Sequence, residues 1–337
     1  LPIAAGWAIS VLLGSCTSTP AGDPIALPNG SIGIGFDDLR YSSTLHRVLV
    51  PGGRTGILDL VDPDTFAVTP IDGFRSVTDF NGGHDDGPTS VDEGDGHLFV
   101  TDRTSGRLSV VDPRTNAIVG ATALASRPDY VRFVAPTHEL WVTEPGSSQL
   151  EIFSSTGADP NMPEHSAFIG IANGPESLVI DATRGKAYTH RWQASTVAVD
   201  LANRTITAEW PNGCAASRGI ALDEMRGFLF VACLEGTTSV LDVDRDGAIV
   251  SSVAQGSGFD VIGYNAALGH LYLAGSACRC LVTLGVSVEG KLSFLGREDA
   301  PAATHCVTSD DVGHAWVCDP DSGEVRRVTD SFLRTLP

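Results

Sequence analysis

Residues Cys214 to Cys233 read CAASRGIALDEMRGFLFVAC. A loop cysteine leads into a short apolar strand, Gly219-Ile220-Ala221-Leu222. The polar turn Asp223 to Gly227 follows. A second strand, Leu229-Phe230-Val231, carries an aromatic at its centre, and a cysteine closes the stretch. This pattern decides the fold because it recurs with changed side chains, which marks one supersecondary unit stacked on its own copies. Copies open at Phe36, Pro88, Pro128, Pro175, Ser217, Phe259 and Thr304, seven in all. Their second residues are Asp37, Thr89, Asp129, Glu176, Arg218, Asp260 and His305. The middles of their second strands are Leu49, Phe99, Trp141, Tyr188, Phe230, Tyr272 and Trp316. The separation is twelve residues in five copies, ten in the second and eleven in the last.

A third short strand follows each pair and usually a fourth, as in ILDLVDP then FAVTPI. Asp-Pro-x-Thr between them is turn chemistry: proline presets φ, and the Asp and Thr side chains bond nearby backbone. Copies start 40 to 52 residues apart. Four strands per copy, repeated seven times, predict an all-β chain: a seven-bladed β-propeller of four-stranded antiparallel blades. The central residue of each second strand is expected to pack into the next blade. The outer strand of the last blade is expected either from residues 24–35 or from FLRTLP at the C-terminus.

The N-terminus is a different object. Residues 3–13, IAAGWAISVLL, form an uncharged apolar run. It is shorter than the roughly 20 residues that span a bilayer and fits the apolar region of a signal peptide, whose basic start is expected upstream of Leu1. Leu13-Gly14-Ser15-Cys16 resembles a bacterial lipobox. The expected organisation is therefore a lipoprotein signal peptide over 1–16, a mature chain lipidated at Cys16, a linker over 17–28 and the propeller over 29–337. Such a chain belongs in the bacterial cell envelope, touching the membrane through its lipid only, and as a monomer. A formal charge of −19 opposes nucleic acid and anionic lipid surfaces, because each approach is repelled.

Setting Cys16 aside leaves six cysteines, an even number that suits disulfides in an oxidising compartment. In an antiparallel hairpin the start of the first strand faces the end of the second. Cys214 and Cys233 stand in that relation and are expected to pair. Cys306 and Cys318 stand in it too, but Cys278 and Cys280 end on the same face one copy earlier, so the partners of these four stay open.

The stretch FVTDRTSGRLSVVDPRTNAIVG, residues 99–120, resembles the YVTN repeat, with Phe99-Val100-Thr101-Asp102 at the position of the name motif. The whole mature chain is similar to YncE-like, YVTN-type seven-bladed propellers of the bacterial envelope. That resemblance implies secretion or lipid anchoring and propeller-type binding. It implies no catalytic set.

Innermost strands of a propeller run along its central channel, so the seven second-position residues are expected to ring one mouth. Four carboxylates, an Arg and a His converging there make a ligand site. Crowded carboxylates repel, and a cation or a proton relieves them. A divalent cation, Ca or Mg, is expected on Asp37, Asp129, Glu176 and Asp260, or else an amine or sugar on the carboxylates with Arg218 taking an anionic group. The loop Gly82-Gly83-His84-Asp85-Asp86-Gly87 is aimed at the same mouth, which adds His84. Asp242 to Gly247 matches the first half of a calcium loop, yet its twelfth position is Val253, which offers no carboxylate, and the stretch suits a strand-to-strand turn. Motifs for nucleophilic catalysis and phosphate-binding glycine loops are absent. The function expected is binding or scaffolding: the ringed face is presented to an envelope protein, a glycan or a small ligand. The alternative is a metal-dependent hydrolase of the lactonase or esterase kind.

Overall fold

The computed structural model describes residues 20–336; the expected signal peptide, residues 1–16, and with it Cys16, lies outside them. Seven four-stranded antiparallel sheets form the blades, and in six of them the strands follow one another in chain order. In the fifth blade these are Ser217–Asp223, Phe228–Cys233, Thr237–Asp242 and Ala248–Ala254. Asp62-Pro63-Asp64-Thr65 turns as its composition requires: Asp62 Oδ1 accepts from the backbone N–H groups of Asp64 (3.1 Å) and Thr65 (2.9 Å).

The ring closes from the N-terminus. Asp23–Ala26 pairs with Glu324–Thr329, Ile25 facing Val325, and completes the sheet of Val307–Ser309 and His314–Asp319. The propeller therefore begins at Asp23, inside the stretch expected to be linker. The described part of FLRTLP, residues 332–336, is not a blade strand. It lies against the sixth blade, where Thr335 N–H donates to Leu268 O and Leu333 O accepts from the buried His270.

All seven central residues of the second strands are at most 1 % exposed. They fill the wedges between blades. Phe230 shares a cluster with Phe259, Leu271 and Leu273 of the following blade, and Tyr272 shares one with Val307, Ala315 and Val317. A four-stranded blade cannot bury both of its faces alone, so each depends on its neighbours.

Three disulfides bridge Cys214–Cys233, Cys278–Cys280 and Cys306–Cys318. The two hairpin staples match the strand geometry, and Cys278 pairs with its near neighbour Cys280 rather than across to the seventh blade. All three bridges lie at the face where the innermost strands start.

Candidate functional site at the strand-start mouth of the channel

Six of the seven ring residues reach the mouth. Asp37, Asp129, Glu176 and Asp260 line a cavity of about 250 Å³ with His84, Arg103 and Tyr130. Arg218, Asp260 and His305 line a second of about 270 Å³ on the other side of His84. Thr89 is missing from both. It sits at a bulge between Pro88 and Ser90, its carbonyl accepts from Asp38 N–H at 3.1 Å, and its hydroxyl is buried without a partner.

The loop carrying His84 is locked over the mouth by backbone geometry. Gly87 has φ +68°, and a Cβ there would lie 1.8 Å from Gly53 O, so only glycine is accommodated. Arg127 pairs with Asp85 at 3.1 Å, and Thr104 Oγ1 accepts from Gly87 N–H at 2.8 Å.

Arg103 organises the charges. Its Nη2 donates to Asp37 Oδ2 at 2.8 Å and also to Asp129 Oδ1, while Nη1 donates to the His84 carbonyl. His84 Nδ1 lies 3.1 Å from the same Asp37 oxygen. Burial alone would raise the Asp37 carboxyl, but His84 and Arg103 outweigh it and hold it at about 2. The Asp37 charge lifts His84 to about 9. Asp129 fares differently. Burial pushes it up to about 7; Arg103 opposes that rise and the Asp37 charge adds to it. Glu176 is raised well above its ordinary range by burial and by Asp129 and Asp260, although Trp192 Nε1 donates to its Oε2 at 2.7 Å. Arg218 is marginal: its Nε is 4.0 Å from Glu176 Oε1. The mouth thus holds one carboxylate kept low, Asp37, and two, Asp129 and Glu176, that burial and like charge push up.

His84, Asp260 and His305 each offer one ligand atom within 4.8 Å of the others. This is a different set from the four carboxylates expected on a cation, because Asp37 and Asp129 are already bridged by Arg103. Both His305 nitrogens face carbonyl oxygens, Ala303 O at 2.7 Å and Phe36 O at 2.9 Å. A metal would have to displace one of those contacts. The Asp242–Gly247 stretch is a strand-to-strand turn, with Asp244 held by Arg184 at 2.7 and 2.8 Å, which commits that carboxylate to an arginine.

Arg103 and Trp192 escape a reading confined to the first strand. Both lie four residues past the middle of their second strands, and the same column contains Pro145, Leu234, Ser276 and Pro320. Those four, like Arg103, line the two cavities. A second ring was therefore present in the repeat, one column set further along.

No family model matches this chain, and no curated protein matches it. Solved structures do. A chain of the mitotic checkpoint complex superposes with a TM-score of 0.74 at 14 % identity, covering 98 % of each chain. Hydrazine synthase of Kuenenia stuttgartiensis gives 0.71 at 11 % identity, over 96 % of this chain and 99 % of that one. The Cps50 (Swd1) β-propeller domain of Myceliophteria thermophila gives 0.71 at 11 %, over 91 % and 99 %. At such identities the likeness shows the seven-bladed propeller and nothing about chemistry. A propeller is compatible with a binding or scaffold role.

Proposed function

We propose that this protein is an extracytoplasmic binding protein of the YVTN, YncE-like kind, lipid-anchored at Cys16, which receives a cationic group of its ligand or envelope partner at the strand-start mouth. One observation carries the reading: Asp129, Glu176 and Asp260 converge beside a single buried guanidinium, and burial with like charge pushes Asp129 and Glu176 toward the protonated form. A cation entering the mouth replaces those protons and is favoured by the charge they release. The disulfides support an oxidising compartment. The test of the site is the double substitution Asp129→Asn with Glu176→Gln, which is expected to abolish retention of the native partner or ligand from envelope extract while leaving the melting temperature near that of the wild type. Unchanged retention would contradict it. For the anchor, radioactive palmitate is expected to label the wild type and not Cys16→Ala.

The His84–Asp260–His305 cluster favours a second reading, a metal-dependent hydrolase of the lactonase or esterase kind. Here Asp260 and the histidines would hold a divalent cation, with Asp129 and Glu176 near it. Metal content of the purified protein and the effect of chelator on melting test it. No bound metal together with no chelator effect counts against the hydrolase.

A further inference from the structure

A cavity of about 500 Å³ lies at the other end of the channel. Tyr130 lines both this cavity and the strand-start one and is 3 % exposed, so it separates the two ends. The walls are built by one column of the repeat, three residues beyond the ring position: Arg40, Asp92, Arg132, Val179, Ala221, Gly263 and Thr308. The first three blades supply charge and the last four supply small, uncharged side chains. The next column deepens the contrast, with Glu93 on the charged side and Ile180 and Leu222 opposite.

On the charged side most groups are committed. Arg132 grips Asp38 through Nη1 (2.6 Å) and Nη2 (3.0 Å) and donates Nε to Leu178 O. Arg40 pairs with Asp92 at 2.9 Å, and the other Asp92 oxygen accepts from Phe133 N–H at 2.8 Å. Glu93 is the exception. Its Oε2 accepts from Ser42, and its Oε1 has no partner among the described residues. Two guanidiniums against three carboxylates leave this wall one formal negative charge, and the opposite wall of this ligand-sized cavity is uncharged except for Glu224, whose Oε1 accepts from Thr183.

We infer that this end of the channel is a second binding site, specific for a small amphipathic ammonium: a protonated amine on Glu93 with an alkyl or aryl body against Val179, Ile180 and Leu222. An ammonium head satisfies the free oxygen of the half-buried Glu93 and the net charge together, and a charge-assisted hydrogen bond of this kind is stronger than a neutral one. A neutral head leaves Glu93 uncompensated, and an anionic one adds repulsion. The site is separate from the strand-start mouth and does not depend on what binds there.

Phenethylamine, 2-phenylethanol and 3-phenylpropionate, titrated into the full-length protein by calorimetry, test it, because they share an apolar body and differ in the head. Phenethylamine is expected to bind, 2-phenylethanol to bind about tenfold more weakly, and 3-phenylpropionate to be weakest. Glu93→Gln keeps an acceptor for Ser42 and should remove the preference for the amine, so that phenethylamine falls to the level of the alcohol. Ala221→Phe, which fills the apolar side, should weaken the amine and the alcohol alike. The inference is overturned if phenethylamine does not bind at millimolar concentration, if amine and alcohol bind equally to the wild type, or if Glu93→Gln retains the preference with an unchanged melting profile.

Discussion

The two mouths of one channel solve the problem of buried charge in different ways. Each has a buried arginine at its centre, Arg103 at the strand-start end and Arg132 at the other, with side chains equally hidden at 7 % exposure. Arg132 meets one carboxylate, Asp38, in a two-toothed grip; Arg103 is shared between Asp37 and Asp129 and leaves Glu176 and Asp260 to manage without it. The Arg132–Asp38 pair is closed, and the excess charge of that end falls on Glu93. At the strand-start end one guanidinium serves two carboxylates, and burial pushes Asp129 and Glu176 toward the protonated form. Among the described residues, the three disulfides lie only at the strand-start end, so the end with unresolved electrostatics is also the end held covalently. The contrast teaches that a ring of carboxylates is not in itself a cation site. What distinguishes it is whether the protein already supplies the counter-charge.

Removing the arginines breaks the comparison most strongly. Arg132→Met strands Asp38 in a dry interior, and loss of one partner from such a pair costs about 3–5 kcal/mol. Denaturant unfolding measures that loss. Arg103→Met should cost less at pH 6 than at pH 8, because Asp129, already at about 7, rises further without its guanidinium and is protonated at the lower pH. An equal, pH-independent loss in both variants would erase the distinction between the two ends.

The disulfides give the next effect. Cys214–Cys233 spans 19 residues and Cys278–Cys280 only 2. Loop-closure entropy in the unfolded chain grows with loop length, so paired serine substitutions should cost about 3 kcal/mol for the first bridge and far less for the second. Melting of the two double variants compares them.

A smaller effect concerns His84. Its folded value of about 9 lies above the ordinary 6.5, so its contribution is fully present below about 6.5 and is lost as pH rises through 9. His84→Gln should therefore lower the melting temperature at pH 6 and hardly at all at pH 9.5. A pH-independent change would mean that the Asp37–His84 pair adds no electrostatic stability.

Much of this architecture is legible in the sequence because a repeat states each requirement seven times. The central residues from Leu49 to Trp316 recur at nearly fixed distance from the ring positions, and each of them is buried in the structure as the pattern demands. Cys214 and Cys233 could be paired because a hairpin fixes which strand ends face each other. The ring positions were legible as positions, but not their chemistry. Thr89 turns inward at a bulge that no composition signals. Arg103 neutralises Asp37 from the neighbouring blade, a relation between blades that alignment of single copies conceals. The Cys278–Cys280 bridge was hidden for a similar reason: Cys278 lies in the turn after the second strand and Cys280 opens the third, and the sequence does not say which way each side chain points. At the other end of the channel, segregation of Arg40, Asp92 and Arg132 from Val179, Ala221, Gly263 and Thr308 appears once the column is known to face inward.

The central claim is that the strand-start mouth lacks positive charge and takes it from a ligand. Calorimetric titration of calcium chloride and of ethylammonium chloride, at pH 6 and pH 8 and in buffers of different protonation enthalpy, tests it most directly. With Asp129 at about 7, at least one cation should bind about tenfold more tightly at pH 8 than at pH 6, release protons on binding, and lose its binding in Asp129→Asn with Glu176→Gln. Binding of neither cation, or binding without proton release that survives the double substitution, would contradict the account.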